Sequence, residues 1–357
     1  MKQSGNDAAL TIKDVAHHAG VSRATASRAL SDYGIVSAET RERVRESAGL
    51  LGYVPNVLAR SMRAGNTQTL GLIITEVGLS VFDLAMRAVI EAAHLKGYQV
   101  LVANTNEDLT AERNSVRVML EKQVDGLILV PSSVSDLDFL SRGAVQGKPI
   151  ILLDRTLASL DIPSVSADNR RGATDAVAHF LEHGHTRIGF IVVTANIRGT
   201  TTERPDGLVS TLNDRVEGYL EAMRDARITP DANWIRYAAD SDVNGVEAVR
   251  EILDSPNAPT ALLASNGNMS LAILRVAKER RLTVGKDLSV IGFDDAPWAA
   301  VMTPSLTVVD LPIEAMAIAA VDKLIARIAD EDNTAEPLTL PMRLIVRESV
   351  AHHSKES

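Results

Sequence analysis

Residues 11–31, TIKDVAHHAGVSRATASRALS, read as two short helices joined by a glycine turn. Ile12, Val15, Ala16 and Ala19 recur at helical spacing, and Gly20 follows as the residue that enters the left-handed conformation without a Cβ clash. Ser22 offers its side-chain oxygen to the free amides of a new first turn, and Ala26, Ala29 and Leu30 give the second helix an inward face. Arg23, Ala24, Thr25, Ser27 and Arg28 remain for the other face. Such a pair is either an αα-hairpin with a solvated polar side or a helix-turn-helix that lays its second helix in a major groove.

The following stretch favours the second reading. In VSAETRERVRESAGLLGYVPN (residues 36–56), Ser37 caps a third helix, Glu39 stands near its positive end, Val44, Ala48 and Leu51 form one stripe, and Gly52 ends it. Pro55 and Asn56 then open VLARSMRAG (residues 57–65), a piece too short to be a stable helix alone in water. Over TIKDVAHHAGVSRATASRALS, VSAETRERVRESAGLLGYVPN and LARSM, and through most of the remaining chain, this sequence resembles the LacI/GalR family of bacterial transcriptional regulators.

That resemblance implies an all-α helix-turn-helix headpiece at about 10–55, a hinge helix and linker at 56–66, and a two-lobed α/β core, similar to periplasmic binding proteins, at 67–350. It implies base reading by Arg23, Ala24 and Arg28, and phosphate contacts from Ser22, Thr25 and Ser27. Further DNA contacts are implied at Tyr53, Asn56 and Ala59, with Met62 as the minor-groove wedge where the family carries leucine. The chemistry suits these roles. Arginine pairs bidentately with guanine, the Ala24 methyl can touch a thymine methyl, and hydroxyls bind phosphate without reading sequence.

The 357 residues suit a small headpiece plus a two-lobed core, and an apolar fraction of 45% can bury one. The formal net charge of -9 argues at first sight against nucleic acid. Residues 1–66, however, carry nine Lys and Arg against six Asp and Glu, a net +3, leaving -12 on the remainder. A basic head on an acidic body keeps non-specific DNA affinity low while still meeting phosphates locally. The chain has no cysteine, which excludes disulfides and thiolate metal sites. MKQSGNDAAL lacks the apolar run of an export signal, and no later stretch approaches membrane-spanning length, so a cytoplasmic, nucleoid-associated protein is expected.

After residue 66 the pattern changes to apolar runs, LGLIIT, YQVLVAN, GLILV, PIILLD, RIGFIVV, TALLAS and LSVIGF, which read as buried parallel strands. Segments 84–96, 111–122, 170–183, 215–227, 243–253 and 271–281 between them carry helical spacing, and the alternation argues for doubly wound α/β architecture. The resemblance divides this core into an N-lobe of about 67–166 and 311–341 and a C-lobe of about 167–310 and 342–350.

Loops after parallel strands face the crevice of such folds, and Asp154, Arg215, Asn266 and Asp294 stand there. Each alone could be a strand-end cap or surface charge; together, at positions where the family pattern places effector contacts, they are expected to bracket the hydroxyls of a sugar or sugar derivative. EVGLSVFDLA replaces the family's Asn-Pro-Phe-Phe-like stretch, bringing Glu76 and Phe82 to the cleft mouth, and Asn266-Gly267 replaces the usual Asn-Asp. Asp295, beside Asp294, should point to the opposite face. The polar insertion ANIRGTTTERPDGLVSTLND (195–214) reads as a surface loop, or as a lid bringing Arg198 or Arg204 to an anionic effector. Phe82 and Trp298 are candidates for sugar stacking or for the core.

No G-x-S-x-G elbow, P-loop or H-E-x-x-H occurs, and no enzyme activity is expected. His179, His183 and His185 read as a helix end rather than a metal site, and no cofactor is expected. A secreted sugar-binding protein is disfavoured by the headpiece. The partners expected are pseudo-palindromic operator double-stranded DNA, a carbohydrate-like effector and a second copy of the chain, with no membrane. AHHSKES carries no leucine heptad, so a tetramer held by a C-terminal helical bundle is not expected. The function expected is that of a repressor whose operator binding is modulated by the effector.

Overall fold

The computed structural model describes residues 10–30, 35–53, 66–78, 80–195, 197–239, 241–331 and 336–353. Contacts cluster into two compact units, Met1–Thr67 and Gln68–Ser357.

The first unit holds helices α1 (Ile12–His18), α2 (Arg23–Leu30) and α3 (Ala38–Leu51). Each boundary has a local cause. Thr11 and Asp14 form a capping box at the start of α1, and Gly20 turns the chain at φ +64°. The Ser22 hydroxyl accepts from the Thr25 N–H at 3.1 Å, and Ser37 accepts from Thr40 N–H at 3.3 Å. Gly52 ends α3 at φ +65°. Val15, Ala16, Ala19, Ala26, Ala29, Val44 and Ala48 are buried between the three helices; so many alanines let short helices approach closely. The hinge expected at 56–66, with Asn56, Ala59 and Met62, lies outside the described residues except for its last position.

The second unit contains two sheets. The N-lobe sheet comprises β1 (Thr69–Ile74), β2 (Gln99–Asn104), β3 (Gly126–Leu129), β4 (Ile150–Asp154), β5 (Ser164–Ala167) and β12 (Leu338–Leu340), in the order β12-β5-β4-β3-β1-β2, all parallel. The C-lobe sheet comprises β6 (Ile188–Thr194), β7 (Thr200–Thr201), β8 (Ile235–Ala239), β9 (Ala261–Ala264), β10 (Ser289–Phe293), β11 (Thr307–Asp310) and β13 (Arg343–Ile345), in the order β13-β11-β10-β9-β6-β8-β7. Only β7 and β13 run antiparallel to their neighbours. Setting aside the extra edge strand β7, the two orders correspond position by position, so β4 and β10 occupy the same place in the two lobes.

Helices α4 (Ser80–Leu95) and α5 (Leu109–Glu121) connect N-lobe strands; α6 (Asn169–Glu182), α7 (Ser210–Asp225), α8 (Asp242–Leu253) and α9 (Gly267–Glu279) follow in the C-lobe. Beyond the six expected helices lie α10 (Pro297–Val301) and α11 (Ile313–Ile328). Met316, Ala317, Ala320, Val321 and Leu324 of α11 bury against the N-lobe sheet, although the preceding strand β11 belongs to the C-lobe. The chain therefore crosses between lobes after β5, after β11 and between β12 and β13. Among the described residues, no helix is long and apolar enough to cross a membrane.

Two sequence expectations need correction. YQVLVAN is not a buried strand: β2 is the sheet's edge, and Leu101 and Val102 are 38% and 39% exposed. The insertion 195–214 is not wholly loop, because β7 pairs with β8 and α7 begins at Ser210 rather than Arg215. Of the two roles left open for Trp298, stacking on a sugar or packing in the core, the second holds: it packs against the C-lobe core and does not line the cavity described below.

Candidate functional site

The polar face expected to meet DNA is presented by α2 of the first unit. Its inward alanines leave Ser22, Arg23, Ala24 and Arg28 exposed, with Thr25 and Ser27 half-buried. Ser22 and Thr25 hydroxyls also bond each other at 2.9 Å, holding both oxygens at the helix N-terminus, where unpaired amides and the helix dipole favour a phosphate. Tyr53 follows the Gly52 cap, its N–H on Ala48 O at 2.9 Å and its ring against the headpiece core.

In the second unit, a cavity with about 750 Å³ of atom-free space, open mouth included, lies between the two sheets. Glu76, Phe82, Asp154, Arg215, Asn266 and Asp294, the six residues expected there from the sequence, all line it. Their elements explain the convergence. Asp154 ends β4, Asp294 follows β10, Asn266 caps α9 after β9, and Glu76 lies just beyond β1, all at the carboxyl ends of parallel strands. Asn266 also accepts from the Met269 N–H at 2.9 Å, so the helix-cap reading holds as well.

Asp154 and Asp294 adopt the same left-handed backbone, φ +67° and +71°, a region aspartate tolerates better than most residues. Each presents one buried oxygen, Oδ1, without a hydrogen-bond partner in the protein. On the same wall Arg215, 5% exposed, stacks its guanidinium on Phe293 at 4.0 Å, donates from Nε to Asn169 Oδ1 at 2.7 Å and donates from Nη1 to the Ser265 carbonyl.

Sequence reasoning missed the other charged pair on the wall. Arg155 donates to both oxygens of Glu107, at 2.6 and 2.8 Å, and to the Pro131 carbonyl at 2.9 Å. Behind them, buried Glu112 accepts from the Ser132 backbone N–H at 2.6 Å and from the Ser132 hydroxyl. LDR at 153–155 and NED at 106–108 were the only signals, and neither says that the two segments meet.

Burial sets the electrostatics. It pushes the Asp154 carboxyl above the usual range, against the pull of Arg155 and Arg215. It pushes Asp294 up to about 6, with Arg215 opposing and Asp154 reinforcing. It lowers Arg215, which Asp294 and Asp154 partly restore. Glu112 is raised by burial despite its bonds from Ser132.

Other candidates lie elsewhere. Asp295 points away from the cavity into a two-pronged pair with Arg347, both contacts at 2.8 Å. Arg204 is held by Glu217 at 2.7 Å and Asn213 at 2.6 Å and does not line the cavity, so its reading as a lid cation is withdrawn. His183 bonds the His179 carbonyl at 2.8 Å, and His185 bridges Thr260 and the Ala351 carbonyl. No group of three or more His, Asp or Glu suited to a metal ion occurs among the described residues.

Residues 11–56 match the model for bacterial regulatory proteins of the lacI family, and residues 177–350 match a periplasmic binding protein-like domain. Over 97% of its length the chain is 32% identical to the HTH-type transcriptional regulator AscG of Escherichia coli, covering 99% of that protein. The chain belongs to the LacI family. It is also 32% identical to the HTH-type transcriptional regulator GalS of Salmonella typhimurium, over 96% of this chain and 97% of that one. The lac repressor dimer bound to operator and the anti-inducer ONPF superposes with a TM-score of 0.82 at 26% identity, over 96% of this chain and 100% of that one. The transcriptional regulator CelR in complex with cellobiose gives 0.70 at 28%, over 95% and 99%. As a LacI-family member, the protein is a sequence-specific DNA-binding transcriptional regulator with a helix-turn-helix region and a periplasmic-binding-protein-like core.

Proposed function

We propose that this LacI-family chain acts in the cytoplasm as a homodimeric repressor without enzymatic activity, and that a sugar or sugar derivative in the interlobe cavity tunes its operator affinity. The observation that carries this reading is the convergence of Glu76, Phe82, Asp154, Arg215, Asn266 and Asp294, from both lobes, on one cavity. Two headpieces on a pseudo-palindromic site supply the specificity that a few base contacts of one cannot. Arg23, Ala24 and Arg28 read base edges, Ser22, Thr25 and Ser27 bind phosphate, and Tyr53, Asn56, Ala59 and Met62 complete the contact. A dimer is supported by the lac repressor dimer and by exposed apolar side chains on both lobes, Ile90 and Leu95 on α4 and Leu271 on α9.

The coupling runs through the three interlobe crossings, about which a ligand can close the lobes. A difference of about 2–3 kcal/mol between ligand-bound and free forms in operator affinity changes occupancy by roughly 30- to 150-fold. The test is operator binding measured by fluorescence anisotropy, with effector affinity measured in parallel. Met62→Gly should weaken operator binding and spare effector affinity, whereas Asp294→Ala should keep operator binding and lose the response. Equal loss of both properties in either variant would contradict this division of labour.

A further inference from the structure

Beside the strand pair β12–β5, at the N-terminal ends of α6 and α7, lies a second hollow. It is an open groove with about 930 Å³ of atom-free space and shares no lining residue with the interlobe cavity. Its floor follows from strand alternation. Val165 and Ala167 of β5 enter the N-lobe core, so Ser164 and Ser166 face the groove, and Thr339 of β12 stands in register beside Ser166. Ser164 and Ser166 are only 3% and 8% exposed. Among the described residues Ser164 Oγ has no hydrogen-bond partner, and the Ser166–Thr339 hydroxyl contact, at 3.5 Å, is longer than a good O–H···O bond.

The rim is acidic. Asp161 lies between β4 and β5, Asp168 caps α6 by accepting from the Arg171 N–H at 3.0 Å, and Asp214 stands on α7 of the C-lobe. Among the described residues the lining holds no Lys, Arg or His, and none of the three carboxylates makes an ion pair. The two arginines that open α6 are engaged elsewhere, Arg170 with Glu221 at 2.6 Å and Arg171 with Asp175 at 2.8 Å. Asp214 accepts a long contact from Asn213 Nδ2, 3.5 Å. Burial pushes its carboxyl above the usual range, and the negative charge of Asp168 adds to that push, against Asn213 and Arg170. Like charges from the lobe crossing after β5 and from the C-lobe therefore act on each other here, and an added positive charge would relieve both.

The carboxylates do not converge on a point: among the described residues no group of three or more His, Asp or Glu is suited to a metal ion. Leu160, Ile162 and Pro337 give the groove an apolar side. Separated acceptors with alkyl surface between them match cationic donors joined by methylenes. We infer that this groove is a second ligand site, which takes an aliphatic di- or polyamine, its ammonium groups on Asp168 and Asp214 over the serine hydroxyls and its methylenes against the apolar side. The site bears on the helix that carries the cavity wall. Asp214 directly precedes Arg215 on α7, and Asn169, which lines the groove, holds Arg215 Nε at 2.7 Å. The Thr156 N–H, also on the groove, donates to Ser210 Oγ of α7 at 2.8 Å, a bond from one lobe to the other.

The test is isothermal titration calorimetry on the full chain at about 0.15 M salt, which screens diffuse attraction to its acidic surface. The probes are putrescine and spermidine, with butanediol as the uncharged counterpart and Mg²⁺ as a compact cation. At least one amine should bind about ten-fold or more tightly than butanediol and Mg²⁺. Asp168→Asn and Asp214→Asn should each weaken that binding by about ten-fold or more, as expected when an ionised acceptor is lost. Asparagine caps a helix as aspartate does, so Asp168→Asn keeps the start of α6. Asp225→Asn, at the far end of α7, should leave amine binding unchanged. Equal weakening in Asp225→Asn and the groove variants overturns the inference in favour of diffuse attraction. Binding lost in Asp294→Asn but kept in both groove variants overturns it by placing the amine in the interlobe cavity. Mg²⁺ binding as tightly as the amines, or silence from both amines in calorimetry and in thermal shift, overturns it as well. The effector reading stands under each of these outcomes, because it rests on the other cavity.

Discussion

Asp154 and Asp294 show how much a single backbone conformation can contribute to a site. Both turn out of their strands at positive φ, and that turn directs a short carboxylate into the cleft instead of along the sheet. The adjacent Asp295 goes the other way and is consumed by Arg347. For Asp294 the consequence is pH-dependent. Its folded pKa is raised from 3.8 to about 6, so across that window the native chain holds a proton that the unfolded chain releases. Stability from this group therefore falls as pH rises through the window, and the cost is complete above about 6. Asp294→Asn should raise the melting temperature of the ligand-free protein above this window, by an amount equivalent to about 1–3 kcal/mol, with the gain fading toward pH 4. Thermal unfolding of both proteins as a function of pH checks this; a difference that stays constant across the range would contradict the burial account.

Among elements, the pair α6 and α7 sets the C-lobe wall on which Arg215 stands. Asn169 in the first turn of α6 holds the Arg215 Nε, and Gly218 of α7 lets the two helices close. A Cβ at Gly218 would sit 2.1 Å from the Arg170 carbonyl oxygen and 2.9 Å from the Ala173 Cβ. Backbone on the opposing helix cannot swing away as a side chain can. Gly218→Ala should therefore destabilise the core by roughly 1–3 kcal/mol or more, measured by urea denaturation, and should weaken effector binding by displacing Arg215. Unchanged stability would mean that the helices separate at little cost. Elements also mark where periodicity misleads. LGLIIT and YQVLVAN have similar apolar content, yet β1 is central and buried while β2 is an edge. The short runs SVSA, IRYAA and TVVD, which carry no strong strand signal, form β5, β8 and β11 because neighbours supply their partners.

For the whole molecule, charge is partitioned by function: residues 1–66 carry a net +3 and the remainder -12. Operator binding should therefore be strongly salt-dependent, losing roughly 10³- to 10⁵-fold between 50 and 200 mM salt if two headpieces cover about six to ten phosphates. The affinity of an uncharged effector should barely move over the same range. A shallow salt slope in anisotropy titrations would contradict phosphate contact by α2, whatever the cavity binds.

The headpiece was legible because its determinants are local. Caps at Ser22 and Ser37, glycines at 20 and 52 and an alanine-rich stripe act within a few residues of one another, so their order along the chain already specifies three helices. The six cavity residues were legible for a related reason: each ends or follows a strong apolar run or stands near one, and the family pattern marks those positions. The Glu107–Arg155 pair, the edge position of β2, the return of α11 to the N-lobe and the commitment of Arg204 to Glu217 depend on strand order and on packing between distant segments. Hydrophobic spacing records which face of an element is buried, but not which neighbour buries it, and that choice was made only when the two sheets assembled.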